Sequence, residues 1–176
     1  DKLQLDSISH SAKQREWLAS RYLVRFLIDV PEAIHMEKDA YGRPRLLDIP
    51  GFVSISHCKD YAAAIFHPSG RVGIDVEPYA DTVRRIAHKF LFPEELNRIK
   101  GPEELEYLLL YWSAKETLYK LHGKKGLAFK ERILIEAFRI EQKGELCGKV
   151  VDSDGLERVD IKYLRLDWGY LTWAVV

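Results

Sequence analysis

Hydrophobic side chains recur at helical spacing in two long stretches of the chain. Residues 11–28 carry an apolar stripe with arginines distributed around it, which predicts an amphipathic helix. The stripe consists of Leu18, Tyr22 and Phe26, together with Leu23 and Leu27. Residues 103–122 show the strongest helical pattern, and Gly123 follows where a helix would end. We therefore expect one long helix near the start of the chain and another after its midpoint.

Two shorter helices are predicted between these long ones. Asp81 or Thr82 would cap the first, because apolar residues follow at helical spacing. Pro93 would open the second, since proline is well accommodated in the first turn of a helix.

Alternation of apolar and polar residues predicts strands in the remaining segments. "FVSISH", "YAAAIFH" and "RVGIDVEPY" each have the period of two that is typical of a strand. After residue 132 the chain alternates with turns at Lys143–Gly144, Asp154–Gly155 and Trp168–Gly169, which predicts an antiparallel meander. The segment "KDAYGRPRLLDIPG" is rich in Gly, Pro and Asp and is expected to be irregular. This order of helices and strands indicates an α+β fold.

Composition limits the classes of protein to which the chain could belong. With 47% hydrophobic and 31% charged residues among 176, the chain can bury the core of one domain or of two small halves. The most plausible division falls near Gly70, giving an N-terminal half (1–70) and a C-terminal half (71–176). A formal net charge of +0 gives no indication of binding to nucleic acid or to a membrane surface. No apolar run approaches the ~18 residues that a spanning helix needs. Only two cysteines, far apart, favour a reducing cytoplasmic setting.

The strand "RVGIDVEPY" carries two carboxylates on one face. Val72, Ile74 and Val76 alternate with Gly73, Asp75 and Glu77, so the two acids project together, roughly 7 Å apart at the backbone. Carboxylates this close repel one another unless a cation or solvent intervenes. A solvated edge strand would explain the pattern, and so would a metal site. Glycine inside a strand often marks the close approach of a ligand or of another backbone.

The second long helix offers a third carboxylate. Trp112, Glu116 and Lys120 share one side, whereas Tyr111, Ala114, Leu118 and Leu121 form a stripe suited to the core. Glu116 and Lys120 by themselves could be a surface ion pair. If the acidic strand faced this helix, three carboxylates could converge, which would suit Mg²⁺, and a lysine beside them could neutralise phosphate charge.

These motifs in this order resemble the 4′-phosphopantetheinyl transferases. That family has a G-[IV]-D-[IV]-E strand followed some 35–45 residues later by W-[ST]-x-K-E-x-x-x-K; here "VGIDVE", "FPEEL" and "WSAKETLYK" correspond. Further similar segments are "SISHC", "YGRPRL", "KQREWLASRYLVRFLI" and "GKKGLAF". The resemblance covers roughly residues 12–140, and the length points to the larger, monomeric surfactin-synthetase-activating type. It implies an α+β fold of two pseudo-symmetric halves with the active site between them.

The resemblance also implies a reaction and the residues that perform it. Coenzyme A would donate its phosphopantetheine arm to a serine of an acyl or peptidyl carrier protein, releasing adenosine 3′,5′-bisphosphate. Asp75, Glu77 and Glu116 would bind Mg²⁺, with Mn²⁺ as the alternative ion. The base would be Glu116, a water held by it, or Glu95 of "FPEEL". Lys120 would contact the pyrophosphate and stabilise the leaving group.

The remaining family positions imply contacts to the rest of coenzyme A. The residues expected to bind it are Arg15, Arg21, Arg43, Ser56, His57 and Lys115, in addition to Lys120. Guanidinium groups suit phosphate because they bind it through paired donors. Two other interpretations remain at this point: a coenzyme A- or nucleotide-binding module without turnover, and a Mg²⁺ phosphohydrolase that uses the same carboxylates.

Overall fold

The computed structural model describes residues 5–30 and 34–176, which form helices and strands in an α+β arrangement. The helices are α1 (Ser11–Ile28), α2 (Thr82–Phe90), α3 (Pro93–Arg98), α4 (Glu104–His122) and α5 (Phe129–Arg132). The strands are β1 (Met36–Lys38), β2 (Pro44–Leu46), β3 (Phe52–His57), β4 (Ala62–His67), β5 (Val72–Pro78), β6 (Ile133–Ile135), β7 (Lys143–Asp152), β8 (Gly155–Leu166) and β9 (Gly169–Val175). No helix in these described ranges is long and apolar enough to cross a membrane.

The strands divide unequally between the two parts of the chain. β1 and β2 form one antiparallel hairpin and β3 and β4 another, whereas the later strands form a five-stranded antiparallel sheet in the order β5-β9-β8-β7-β6. Buried apolar side chains form two clusters, one built from residues 24–53 and the other from residues 83–174. The α+β class expected from the sequence is confirmed, and the division at residue 70 stays a prediction.

Helix α4 lies across the five-stranded sheet and carries most of the larger cluster. Its expected apolar stripe is buried: Tyr111, Ala114, Leu118 and Leu121 are each at most 1% exposed. Gly73 of β5 allows this approach, because a Cβ there would overlap the backbone oxygen of Thr117 and lie 3.0 Å from the Cβ of Leu121. The sequence left open whether a ligand or another backbone approaches this glycine, and the structure shows that the helix does.

Two local expectations were wrong. The segment expected to be irregular contains β2 and the last residue of β1, and Lys38 pairs with Pro44 in the hairpin of these two strands. Strands of three residues are too short for a period of two to identify them. Lys143–Gly144, expected as a turn, instead begins β7 and pairs with β8.

The smaller part of the chain joins the sheet mainly through side chains at the edge of β5. The Ser54 hydroxyl of β3 accepts a hydrogen bond from the Ile74 amide of β5 at 3.2 Å. Tyr61, in the β3–β4 turn, stacks on Trp168, in the β8–β9 turn, with ring centroids 3.5 Å apart. Both contacts lie on strands or turns that adjoin Asp75 and Glu77, so the contact between β3 and β5 borders these two carboxylates.

Candidate active site

Asp75 lies at the centre of a converging set of donors. Its side chain is on the face of β5 that looks at α4, and the residue is 2% exposed. Oδ1 accepts hydrogen bonds from Ser56 Oγ at 2.8 Å and from Lys120 Nζ at 2.7 Å, and Oδ2 accepts one from Ser113 Oγ at 2.9 Å. A buried carboxylate needs such partners, because an unpaired charge in this position would be costly.

Glu77 and Glu116 add negative charge next to Asp75. Glu77 Oε1 accepts a hydrogen bond from Trp112 Nε1 at 2.9 Å, and burial followed by the charge of Asp75 raises the pKa of Glu77. Burial, and then the charges of Asp75 and Glu77, raise the pKa of Glu116 to about 7, although Lys120 acts in the opposite direction. Among the described residues Glu116 has no hydrogen-bond partner, so its carboxylate is available to a ligand or a proton.

The three carboxylates are of the right chemical type to bind a divalent cation, although their side chains are not arranged around a common point. No three acidic, His or Cys side chains in the described ranges lie close enough together to hold a metal ion as they stand. Asp75 is drawn towards Lys120 and the hydroxyls, and Glu77 towards Trp112. Three carboxylates nevertheless share one ammonium group, and the raised pKa of Glu116 reflects this surplus of negative charge. Carboxylate oxygens with excess negative charge are the ligands that Mg²⁺ prefers, so the residues fit such an ion chemically.

Glu95 and Lys115 have a structural role that differs from the one expected. Lys115 Nζ lies 2.6 Å from Glu95 Oε2 and donates to the Phe90 carbonyl at 2.7 Å. Glu95 also accepts hydrogen bonds from the Phe92 and Ile135 amides, and the two side chains are 3% and 0% exposed. Both groups are therefore shielded and fully engaged. This arrangement does not favour Glu95 as a base or Lys115 as a phosphate contact, and both roles stay predictions.

A basic cleft of about 570 Å³ lies between residues 39–55 and the C-terminal end of α4, beside the acidic cluster. Its charged lining comprises Arg43, Arg45, Arg71, Lys120 and Lys124, opposed by Asp39. Arg43 packs against Gly123 at the end of α4 and forms an ion pair with Asp39 at 2.8 Å. Lys120 belongs to both the cleft and the acidic cluster, so an anion in the cleft would adjoin Asp75.

A second cleft, of about 830 Å³, adjoins the first and contains two of the other expected residues. The guanidinium of Arg21 lies 3.3 Å from the centroid of the Trp17 ring and donates to the Met36 carbonyl. His57 Nδ1 lies 3.7 Å from Glu16 Oε2.

The two remaining expected contacts, Arg15 and Ser56, line neither of these clefts, and their roles stay predictions. Arg15 is exposed on α1 and lines neither cleft. Ser56 is buried, and its hydroxyl donates to Asp75 rather than towards a cleft.

Sequence reasoning missed the buried hydroxyls behind Asp75. Ser113, Thr117 and Thr172 are each 0% exposed and hydrogen-bond to one another. Thr172 shares one face of β9 with Tyr170 and Ala174, since alternate residues of a strand lie on the same face. A threonine on this otherwise apolar face is a signal in the sequence that could have revealed it.

Comparison with known proteins agrees with this geometry. No curated protein matches the chain. Residues 71–154 match the family model of the 4′-phosphopantetheinyl transferase superfamily, a segment that includes β5, all of α4 and therefore every acidic residue of the cluster. This match, together with the α+β fold, shows that residues 71–154 are similar to the 4′-phosphopantetheinyl transferase superfamily.

Proposed function

We propose that this protein transfers the 4′-phosphopantetheine arm of coenzyme A to a serine of an acyl or peptidyl carrier protein. One observation carries the proposal: Asp75, Glu77 and Glu116 meet Lys120 at the end of a basic cleft, on the elements that match the superfamily. We further propose that the chain is of the larger, monomeric surfactin-synthetase-activating type and acts in the cytoplasm.

In this reaction the serine oxygen forms a bond to the phosphorus that carries the pantetheine arm. The bond from that phosphorus to the bridging oxygen breaks, and adenosine 3′,5′-bisphosphate leaves. Lys120 would stabilise the negative charge that develops on the leaving oxygen, because an ammonium group aimed at that position favours the transition state. The basic cleft would bind the pyrophosphate and the 3′-phosphate through groups such as Arg43.

Glu116 is the proposed acceptor of the serine proton, directly or through a water. Without a bound cation the pKa of Glu116 is about 7, which would suit a general base near neutral pH. A carboxylate that binds Mg²⁺ is a weaker base, so with the ion present a water held by Glu116 would take the proton. Glu95 is not proposed for this step, because its carboxylate is buried and bonded to Lys115.

Asp75, Glu77 and Glu116 are proposed to hold Mg²⁺, or Mn²⁺ in its place. The ion would supply positive charge to the pyrophosphate of coenzyme A. Among these residues, Asp75 would be oriented by Ser56 and Ser113, which already fix its two oxygens.

The direct test is to incubate the protein with coenzyme A, Mg²⁺ and several apo carrier proteins and to measure carrier mass. We expect a mass increase equal to one phosphopantetheine arm, together with released adenosine 3′,5′-bisphosphate. Unchanged carriers throughout would contradict the proposal, and phosphate release without a carrier would point to a phosphohydrolase instead.

The variant Glu116→Gln separates the two roles proposed for Glu116, and Lys120→Met tests the role of the lysine. If Glu116→Gln mainly removes a metal ligand, added Mg²⁺ should restore much of the transfer rate. If it mainly removes the base, the rate stays low at saturating Mg²⁺. Lys120→Met should lower the transfer rate by about 10²-fold or more, whereas Lys162→Met, at an exposed lysine on β8, serves as the matched control.

A further inference from the structure

The hydroxyl groups behind Asp75 form a continuous chain between α4 and β9. Ser113 Oγ lies 2.9 Å from Thr172 Oγ1, and Thr172 Oγ1 lies 2.6 Å from Thr117 Oγ1. Asp75 pairs directly with Thr172 across the β5–β9 ladder, so the strand register places this chain beside the carboxylate. All three hydroxyl-bearing residues are 0% exposed, and no bulk solvent can substitute for a missing partner.

Counting protons assigns a direction to the chain. Oδ1 of Asp75 already accepts from Lys120 and Ser56, and Oδ2 is 2.9 Å from Ser113 Oγ, so Ser113 must donate its single proton to the carboxylate. Because the Ser113 proton is used in this way, the 2.9 Å contact between Ser113 Oγ and Thr172 Oγ1 requires Thr172 to donate, and the Ser113 carbonyl at 3.0 Å can share the same proton. With its proton used there, Thr172 accepts from Thr117.

We propose that Thr172 is a positioning residue that fixes the Ser113 hydroxyl and, through it, the Asp75 carboxylate for divalent-metal binding. This inference rests on the proposed function, because it concerns the same acidic cluster. Hydrogen-bonded chains with a common direction polarise one another, and groups behind a metal ligand typically change metal affinity by about 10–100-fold when they are removed.

Position 172 also allows a role in packing to be separated from a role of the hydroxyl. Thr172→Val keeps the shape and removes the hydroxyl, leaving Ser113 and Thr117 without their shared partner. Thr172→Ser keeps the hydroxyl and removes only a methyl group. A residue that merely fills space would respond to both changes by similar amounts, whereas a positioning residue responds to the loss of the hydroxyl alone.

The experiment compares wild type, Thr172→Val and Thr172→Ser for Mn²⁺ affinity, by titration without coenzyme A, and for the Mg²⁺ concentration that gives half-maximal transfer. We expect Thr172→Val to weaken Mn²⁺ binding and to raise the required Mg²⁺ by about tenfold or more. Thr172→Ser should remain within about threefold of wild type. A thermal melt of each variant checks that the fold persists.

The outcomes distinguish this inference from the proposed function. If wild type transfers the arm and Thr172→Val binds Mn²⁺ as tightly as wild type, the positioning role is refuted and the function stands. Equal losses in both variants, with a lower melting temperature, would also refute it, because they indicate packing. If wild type neither binds Mn²⁺ nor modifies a carrier, the proposed function fails, and the positioning role fails with it.

Discussion

Replacing Glu116 with glutamine should stabilise the protein in a way that depends on pH. Burial and two neighbouring carboxylates raise the pKa of Glu116 from 4.5 to about 7. Between these two values the folded protein holds a proton that the unfolded chain releases, so the ionised carboxylate lowers stability progressively as pH rises from about 4.5 to about 7. A shift of this size corresponds to roughly 3 kcal/mol, which solvent screening at a partly exposed side chain reduces to about 2 kcal/mol.

Because the ionised Glu116 carboxylate destabilises the folded protein, the effect of Glu116→Gln should grow as the pH rises. At pH 4.5, Glu116→Gln and wild type should have nearly equal free energies of unfolding. At pH 8 the variant should be more stable by about 2 kcal/mol, or about 4–8 °C in melting temperature for a chain of this size. The measurement is urea unfolding followed by tryptophan fluorescence, with EDTA present so that no cation compensates the charge.

Glu141→Gln provides the matched control, because Glu141 is an exposed glutamate between β6 and β7. The difference between this variant and wild type gives the baseline for replacing an exposed glutamate. The reasoning about Glu116 would be refuted if the difference between Glu116→Gln and wild type were the same at pH 4.5 and pH 8.

Three further predictions follow from other contacts. Lys115→Met should lower the free energy of unfolding by about 3–5 kcal/mol in urea, since it leaves Glu95 buried without its charge partner; a loss below 1 kcal/mol would contradict the assigned structural role. Gly73→Ala should lower the melting temperature by many degrees, because its Cβ would overlap the backbone of α4, and an unchanged melt would show that the helix can move away. Trp112→Phe removes the donor to Glu77 and should weaken Mn²⁺ binding by about tenfold with little change in the melt; unaltered affinity would mean that this hydrogen bond does not orient Glu77.

The acidic cluster could be predicted because periodicity determines which side chains share a face. Asp75 and Glu77 are two residues apart on one strand and share a face, and Glu116 and Lys120 are one turn apart on one helix. The sequence therefore left one question open, which was whether the strand and the helix face each other. The structure brings them together through Gly73, at which the helix backbone approaches the strand.

The burial of individual side chains and the pairing of strands distant in sequence could not be predicted in the same way. Glu95 and Lys115 occur within motifs beside a reactive site, yet their burial depends on how α3 packs against β6, which short motifs do not encode. Thr172 is 97 positions after Asp75 and meets it only because β9 pairs with β5 in one particular register.

The contacts between β3 and β5 have a consequence for local opening of the molecule. The strands β3 and β5 belong to different sheets. Side-chain hydrogen bonds hold them together, among them the bond from the Ile74 amide to Ser54 and the bond from Ser56 to Asp75. A continuous backbone ladder would have to break as a unit, whereas these bonds can break separately. An opening between these two strands would pass directly along Asp75, so amide hydrogen exchange at Ile74 would report on a fluctuation that exposes the acidic cluster.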